Sequence, residues 1–225
     1  MGTAAQRVEK AGDRVIWEPR SYPQAALIAC PIFEVFFGGA RGSLKTDGML
    51  GDWLSHADLH GKDAIGLMVR RNREQLSETI ERARELFIPL GHKFVDNVAK
   101  MRNGARLRFA YLERDADAEN YQGHSYTRVY VEEMGNFPDP YPVMKLMATL
   151  RSGAGVPCCF RATGNPGGPG QHWIKARYID PAPGGWEVIK QEYHDVRTGK
   201  SITRERVYIP GKITDHDLLG IEYVA

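Results

Sequence analysis

"FFGGARGSLKT", Phe36 to Thr46, decides how the rest of the chain is read. An apolar run meets glycines and leaves through a lysine and a threonine, the layout of a phosphate-binding loop between a buried strand and a helix. Such a loop turns backbone N–H groups toward phosphates at a helix N-terminus, where about half a positive charge gathers. The lysine reaches the β- and γ-phosphates, and the hydroxyl holds magnesium. Gly39, Lys45 and Thr46 fall at the usual spacing, but Leu44 stands where a glycine normally precedes the lysine. Taken alone, the stretch also fits a tight strand–helix turn with Lys45 as a solvated charge. Leucine is tolerated at 44 if φ there is negative and the side chain points away from phosphate, and it then favours the helix start.

The chain around the loop has 225 residues, room for one large domain or a domain with a small appendage. It is 42% hydrophobic and 26% charged, enough apolar material for a real core. Thirty basic against 28 acidic residues leave +2, so binding to nucleic acid has to come from local patches. Three cysteines, Cys30, Cys158 and Cys159, are an odd count with two adjacent, which fits a reducing compartment better than a disulfide framework. The N-terminus has no signal-type apolar core, and no run approaches the roughly 18 apolar residues of a membrane span.

Outward from the loop, strands and helices alternate. "IFEVFF" (Ile32–Phe37) and "AIGLMV" (Ala64–Val69) read as buried strands, with a helix from Lys45 to about Ala57 between them. "REQLSETIERARELF" (Arg73–Phe87) has helical periodicity, and Asn103-Gly104 marks a hairpin turn. "RLRFAYL" alternates, putting Arg106 and Arg108 on one face and Leu107 and Phe109 on the other. "TRVYVEE" and "CCFRATG" are further strands, with helices expected over Tyr141–Leu150 and near His172–Tyr178. The expected fold is α/β, a P-loop NTPase with a mostly parallel sheet and helices on both faces. The division is a core over 1–180 and a small β-rich subdomain over 181–225.

Three more stretches supply chemistry. Hydrolysis of a phosphoanhydride needs an acid that holds magnesium and a carboxylate that activates water. "VYVEE" offers both at a strand end, with Glu132 in the metal shell beside Thr46 and Glu133 as the general base. In "RATGNPGG", Thr163, Gly164 and Asn165 end a strand in small polar residues able to sense a γ-phosphate. In "WEPRSYPQ", the Gln24 amide can read an adenine edge, with Tyr22 or Trp17 stacking on the ring.

In this order, "WEPRSYPQ", "FFGGARGSLKT", "LMVRRNREQL", "NYQGHSYTRVYVEE" and "ATGNPGGPGQHWIK" resemble the large terminase subunits of tailed double-stranded DNA phages, over most of residues 17–178. The resemblance implies an N-terminal ATPase domain, using ATP and Mg2+, that pumps DNA into a procapsid. Implied partners are double-stranded DNA, a homo-oligomeric ring on the portal and a small terminase subunit, with no membrane, in the host cytoplasm. Nucleotide contacts would come from Gln24 and from Gly39, Ala40, Arg41, Gly42, Ser43, Leu44, Lys45 and Thr46. Arg41 would act on the phosphates in cis with Lys45, Glu133 would be catalytic, and Thr163–Asn165 would couple hydrolysis to movement. Members usually carry a C-terminal nuclease domain; this sequence stops at "LLGIEYVA" without one, so the expectation is the motor half of a longer protein.

Ring motors often complete a site with a neighbour's arginine. Arg102 is the first candidate, ahead of Arg114 and Arg70 or Arg71. DNA contact is expected from Arg70, Arg71, Arg73, Lys100, Arg106 and Arg108, against the alternative of solvated faces. Two other function classes stay open. One is another P-loop translocase or helicase, and the other is a nucleotide-binding, DNA-docking module with an impaired loop.

Overall fold

The computed structural model describes residues 15–216; residues 1–14 and 217–225, with the "LLGIEYVA" end, lie outside them. Helix α1 (Tyr22–Ala29) starts where Ser21 accepts a hydrogen bond from the Gln24 amide N–H and Pro23 pre-sets the first turn. Strand β1 (Glu34–Gly39) leads through the glycine-rich loop into α2 (Lys45–His60). Then come β2 (Ile65–Arg70), α3 (Arg73–Phe87), and the short strands β3 (Lys93–Val95) and β4 (Val98–Lys100). Strand β5 (Arg106–Tyr111), β6 (Arg128–Val131), α4 (Tyr141–Met147), β7 (Cys159–Gly164) and α5 (Gln171–Ile174) follow. A hairpin of β8 (Val188–Asp195) and β9 (Lys200–Gly211) closes the described chain.

Among the described residues, nine strands form one sheet in the order β3-β4-β5-β2-β6-β7-β1-β9-β8. The run from β5 to β9 in that order is parallel, while β3, β4 and β8 pair antiparallel. Parallel strands covered on both faces are apolar nearly throughout. In β1, Val35 and Phe37 enter one core with Leu27, Trp53 and Leu76 of α1, α2 and α3. Phe36 points the other way, into a second core with Val143 and Leu146 of α4 and Ile174 of α5. The sheet thus has helices on both faces, as the alternating pattern predicts.

Local readings are adjusted in detail. The predicted helix over Tyr141–Leu150 stops at Met147, and the one near His172–Tyr178 is a single α-turn continued by a wider, π-helical turn. In β5, Arg106 and Arg108 are exposed while Leu107 and Phe109 are buried, as the alternation predicts. Within the segment set apart at 181–225, the described residues 181–216 hold β8 and β9, and β9 lies in the main sheet: Arg206–Gly211 pair in parallel with Glu34–Gly39.

Trp17 is not available to stack on a base. It is 6% exposed, and its ring lies over α2 so closely that a Cβ on Gly51 would come within 2.1 Å of it. Helix α2 is also tied to the centre of the sheet by a buried polar group. Asp52 accepts from the Tyr130 hydroxyl at 2.6 Å and from Arg128 Nε at 3.3 Å, both on β6, and lies 3.8 Å from Arg161 Nε on β7. Burial pushes the Tyr130 hydroxyl well above its ordinary range, so it stays protonated and donates. The helix that carries the loop's lysine is thereby registered against the strands that carry the acids.

Candidate active site

The carboxyl ends of β1, β6 and β7 meet at one edge of the sheet, and the loop, Glu132, Glu133 and Asn165 converge there. A cleft of about 570 Å³ is lined by Arg41 to Asp47, by Arg70, Gln75 and Glu78, and by Glu133, Asn136 and Asn165. Gly39 begins the loop at φ +144°, and a Cβ there would sit 1.9 Å from the carbonyl of Gly211 on β9. The Ala40 N–H donates to that same carbonyl at 3.1 Å. Glycine at 39 is therefore demanded by a close backbone approach of β9.

Leu44 does not meet the condition set for leucine in the sequence. Its φ is +55° and ψ +33°, so it occupies the left-handed conformation that glycine adopts freely. For a leucine this costs about 1–2 kcal/mol. Gln24 helps to hold it. The fully buried amide donates from Nε2 to the Leu44 carbonyl at 2.8 Å and accepts from the Arg20 N–H at 2.7 Å. The residue expected to read adenine thus has both of its groups engaged on the loop and its own helix entry. Tyr22 is 74% exposed, and its ring packs at 5.2 Å from that of Trp186, which also has a positive φ of +66°.

Lys45 is 7% exposed, and its ammonium donates to the carbonyls of Gly39 at 3.3 Å and Ala40 at 2.7 Å and to Ser43 Oγ at 3.0 Å. Burial lowers its pKa to about 8, with Glu133 and Glu132 pulling it back up. Arg41 is exposed at the mouth of the cleft, without a side-chain hydrogen bond or ion pair among the described residues. His216, past the end of β9, has Nε2 at 2.6 Å from the Gly42 carbonyl.

Thr46 donates its hydroxyl to Glu132 Oε1, so the two residues expected to share a metal are in direct contact. Glu132 is 1% exposed, and its other oxygen accepts from Arg70 Nε at 2.7 Å and from the Thr79 hydroxyl at 2.6 Å. No group of three or more His, Cys, Asp or Glu is gathered for a metal among the described residues. Mg2+ takes one or two hard protein oxygens and completes its shell with phosphate and water. Thr46 Oγ1 and Glu132 Oε1 fit that donor set.

Glu133 stands at φ +51°, also left-handed, which turns its side chain out of the strand line and toward β7. Its N–H donates to Thr163 Oγ1 at 3.3 Å, and both carboxylate oxygens accept from Asn165 Nδ2, at 2.9 and 3.0 Å. Asn165 Oδ1 is buried without a hydrogen-bond partner among the described residues. Gly164 lies between Thr163 and Asn165, packed on the Phe36 ring.

The arginines divide. Arg70, expected on a DNA-facing rim, is 9% exposed and committed to Glu132. Arg71 pairs with Asp115 at 2.6 Å and lies over the Phe137 ring. Arg102 is exposed in the turn before β5, beside Gly91. That turn adjoins Ala57 and Lys62 at the far end of α2, the end of the sheet away from the loop. Arg70 and Thr79 as partners of Glu132 were missed in the sequence. The available signal was that a carboxylate ending a buried strand needs donors, and Arg70 ends the neighbouring strand.

No family model matches the chain, and no curated protein sequence matches it. Solved structures do. The large terminase of a thermophilic bacteriophage superposes with a TM-score of 0.66 at 15% identity, covering 91% of this chain and 48% of that one. The chain has the fold of phage large terminases. It spans about half the length of that terminase, of which structures with ADP and with ATP-gamma-S also match. The bacteriophage HK97 large terminase matches with TM-score 0.55 and 13% identity over 72% of this chain and 38% of that one. The N-terminal domain of the bacteriophage phi29 DNA packaging ATPase gives 0.54 and 12% identity over 82% of this chain and 93% of that domain. As in the expectation from sequence, the architecture is α/β, a mostly parallel sheet with helices on both faces. No helix among the described residues is long and apolar enough to cross a membrane.

Two outcomes follow from the loop. Leu44→Gly, which removes the strain but frees the unfolded chain, changes stability in urea by less than about 1 kcal/mol. Leu44→Val, β-branched at a positive φ, loses about 1–3 kcal/mol. A bound phosphate favours the Lys45 ammonium and raises its pKa from about 8 back toward 10.5. Between those values a nucleotide bound in this cleft would take up a proton and bind more weakly as pH rises; titration calorimetry in buffers of different ionisation enthalpy reads that uptake directly.

Proposed function

We propose that the chain is the ATP-hydrolysing motor domain of a phage terminase large subunit, moving double-stranded DNA into a procapsid. The observation that carries the reading is the meeting of Lys45, Thr46, Glu132, Glu133 and Asn165 around one cleft. Lys45 exchanges its bonds to loop carbonyls for the β- and γ-phosphates, and Arg41 at the cleft mouth adds a second cation. Thr46 and Glu132 hold Mg2+, which when bound neutralises charge on the phosphate oxygens. Glu133 takes the proton of the attacking water as its oxygen bonds to the γ-phosphorus. The bond to the β-phosphate oxygen breaks, and ADP and phosphate leave. Asn165 holds the Glu133 carboxylate ready before attack and passes changes at the γ-phosphate to β7, the coupling role proposed for Thr163, Gly164 and Asn165.

In a ring on the portal, with the small subunit delivering DNA, a neighbour's Arg102 would complete the site; arginine fingers raise rates by about 10³–10⁵. The end of the sheet that bears Arg102 faces away from the chain's own loop, so it is the end free to approach another copy.

For DNA contact the supporting surface is the outer face of β3, β4 and β5. Cross-strand register sets Lys93 opposite Lys100 and Lys100 opposite Arg106, with Arg108 in the next row. All four are exposed, and their side chains form no ion pair or hydrogen bond among the described residues. Like charges directly opposite destabilise a sheet unless a polyanion compensates them.

A second reading, a nucleotide-binding and DNA-docking module without turnover, draws on the strained Leu44. Glu133→Ala separates the two. The motor reading expects phosphate release with DNA at high protein concentration to fall by about 10²–10⁴, with ADP affinity retained. No phosphate release by the unaltered chain under those conditions favours the docking module. The double substitution Arg106→Ala with Arg108→Ala should weaken DNA binding equally across sequences. It should also reduce the salt slope, log K against log salt, by about 0.9 per lost phosphate contact; an unchanged slope removes this face from the DNA path.

A further inference from the structure

We infer that Arg70 and Thr79 form a clamp that selects which oxygen of Glu132 faces Thr46, making Arg70 a positioning residue of the ATPase. This rests on the reading of the cleft as a magnesium-nucleotide site. The two oxygens of Glu132 are treated differently. Oε2 accepts from Arg70 Nε at 2.7 Å and from Thr79 Oγ1 at 2.6 Å, whereas Oε1 meets the Thr46 hydroxyl. A carboxylate 1% exposed has no water to satisfy it, so its donors fix its orientation.

The clamp stands on elements outside the glycine-rich loop. Arg70 is the last residue of β2, and its Nη1 donates to the Gln75 carbonyl at 3.0 Å in the first turn of α3. Asn72 caps that turn by accepting from the Gln75 N–H at 3.0 Å, and Thr79 lies one turn further on. The side chain of Arg70 is 11% exposed; its only other carboxylate neighbour among the described residues is Glu78, 4.0 Å away and largely solvated. The guanidinium is therefore spent on Glu132.

The consequence is a division of labour. Oε2 is held by a fork that does not move with the loop, and Oε1 is left with a partner, the Thr46 hydroxyl, that turns away by rotating about one bond. Thr46 Oγ1 and Glu132 Oε1 would hold the cation once that hydroxyl turns, with both contacts to Oε2 kept. The extra methylene of glutamate over aspartate lets the carboxylate reach α3 while Oε1 stays at α2. This gives a physical reason for the acid at 132.

Partners behind a metal ligand typically set metal affinity by about 10–100-fold. ADP is titrated with and without Mg2+ into the full chain and into Arg70→Ala, Arg70→Lys and Thr79→Val. The expected result is a rise of about 10–100-fold in the Mg2+ concentration at half-effect for Arg70→Ala, a smaller rise for Arg70→Lys, and unchanged ADP affinity in chelator. Thr79→Val removes only the hydroxyl and serves if Arg70→Ala does not fold. Folded variants with the unaltered Mg2+ requirement overturn the clamp. Equal loss of ADP affinity with and without Mg2+ also overturns it, by showing a merely structural role. ADP binding by the unaltered chain that ignores Mg2+ instead overturns the reading of the cleft, and the clamp falls with it.

Discussion

Parallel strands in fixed register end together, and the cleft depends on that constraint. Phe37 lies opposite Thr163, and Val131 opposite Ala162, so β1, β6 and β7 deliver their last residues to one level. Chain leaving β1 becomes the loop, chain leaving β6 becomes Glu132 and Glu133, and chain leaving β7 becomes Asn165. The ladder hydrogen bonds do the aligning, and the side chains only have to be correct at three strand ends. Asp52 adds the remaining coordinate by tying α2 to β6 and β7 through Tyr130, Arg128 and Arg161.

At that edge the backbone leaves its comfortable conformations. Leu44 and Glu133 both have positive φ, and each strains a residue that lacks glycine's freedom. Each is held by a side chain from elsewhere: Gln24 on the Leu44 carbonyl, and Thr163 and Asn165 on Glu133. Strain of this kind persists only where surrounding contacts over-determine it. Gln24 thus has a structural task that stands whether or not it also meets a base.

Local pattern made the strand–loop–helix frame, the paired acids and the Thr163–Asn165 strand end legible, because period and turn chemistry are written within a few residues. The exposed row of Arg106 and Arg108 was legible for the same reason. What was hidden depends on contacts distant in sequence. Nothing local distinguishes Arg70 from a solvated rim arginine; its partner is 62 residues away. Trp17 reads as an exposed aromatic in a proline-rich lead-in until Gly51 opens a seat for it on α2. The sign of φ at Leu44 follows from how β1, α2 and β9 converge, which residue type alone does not reveal. The seating of β9 beside β1 was equally invisible, since its sequence fits an appendage as well as a sheet member.

That seating has a mechanical meaning. Strand β9 runs parallel to β1, from Arg206 opposite Glu34 to Gly211 opposite Gly39, and its last carbonyl holds the first N–H of the loop. A pull along β9 loads the rungs of this ladder together, in shear, instead of peeling them one by one. Tension on the chain beyond Gly211 is therefore delivered to the edge of the cleft as a displacement of Gly39 and Ala40, with little slack to absorb it.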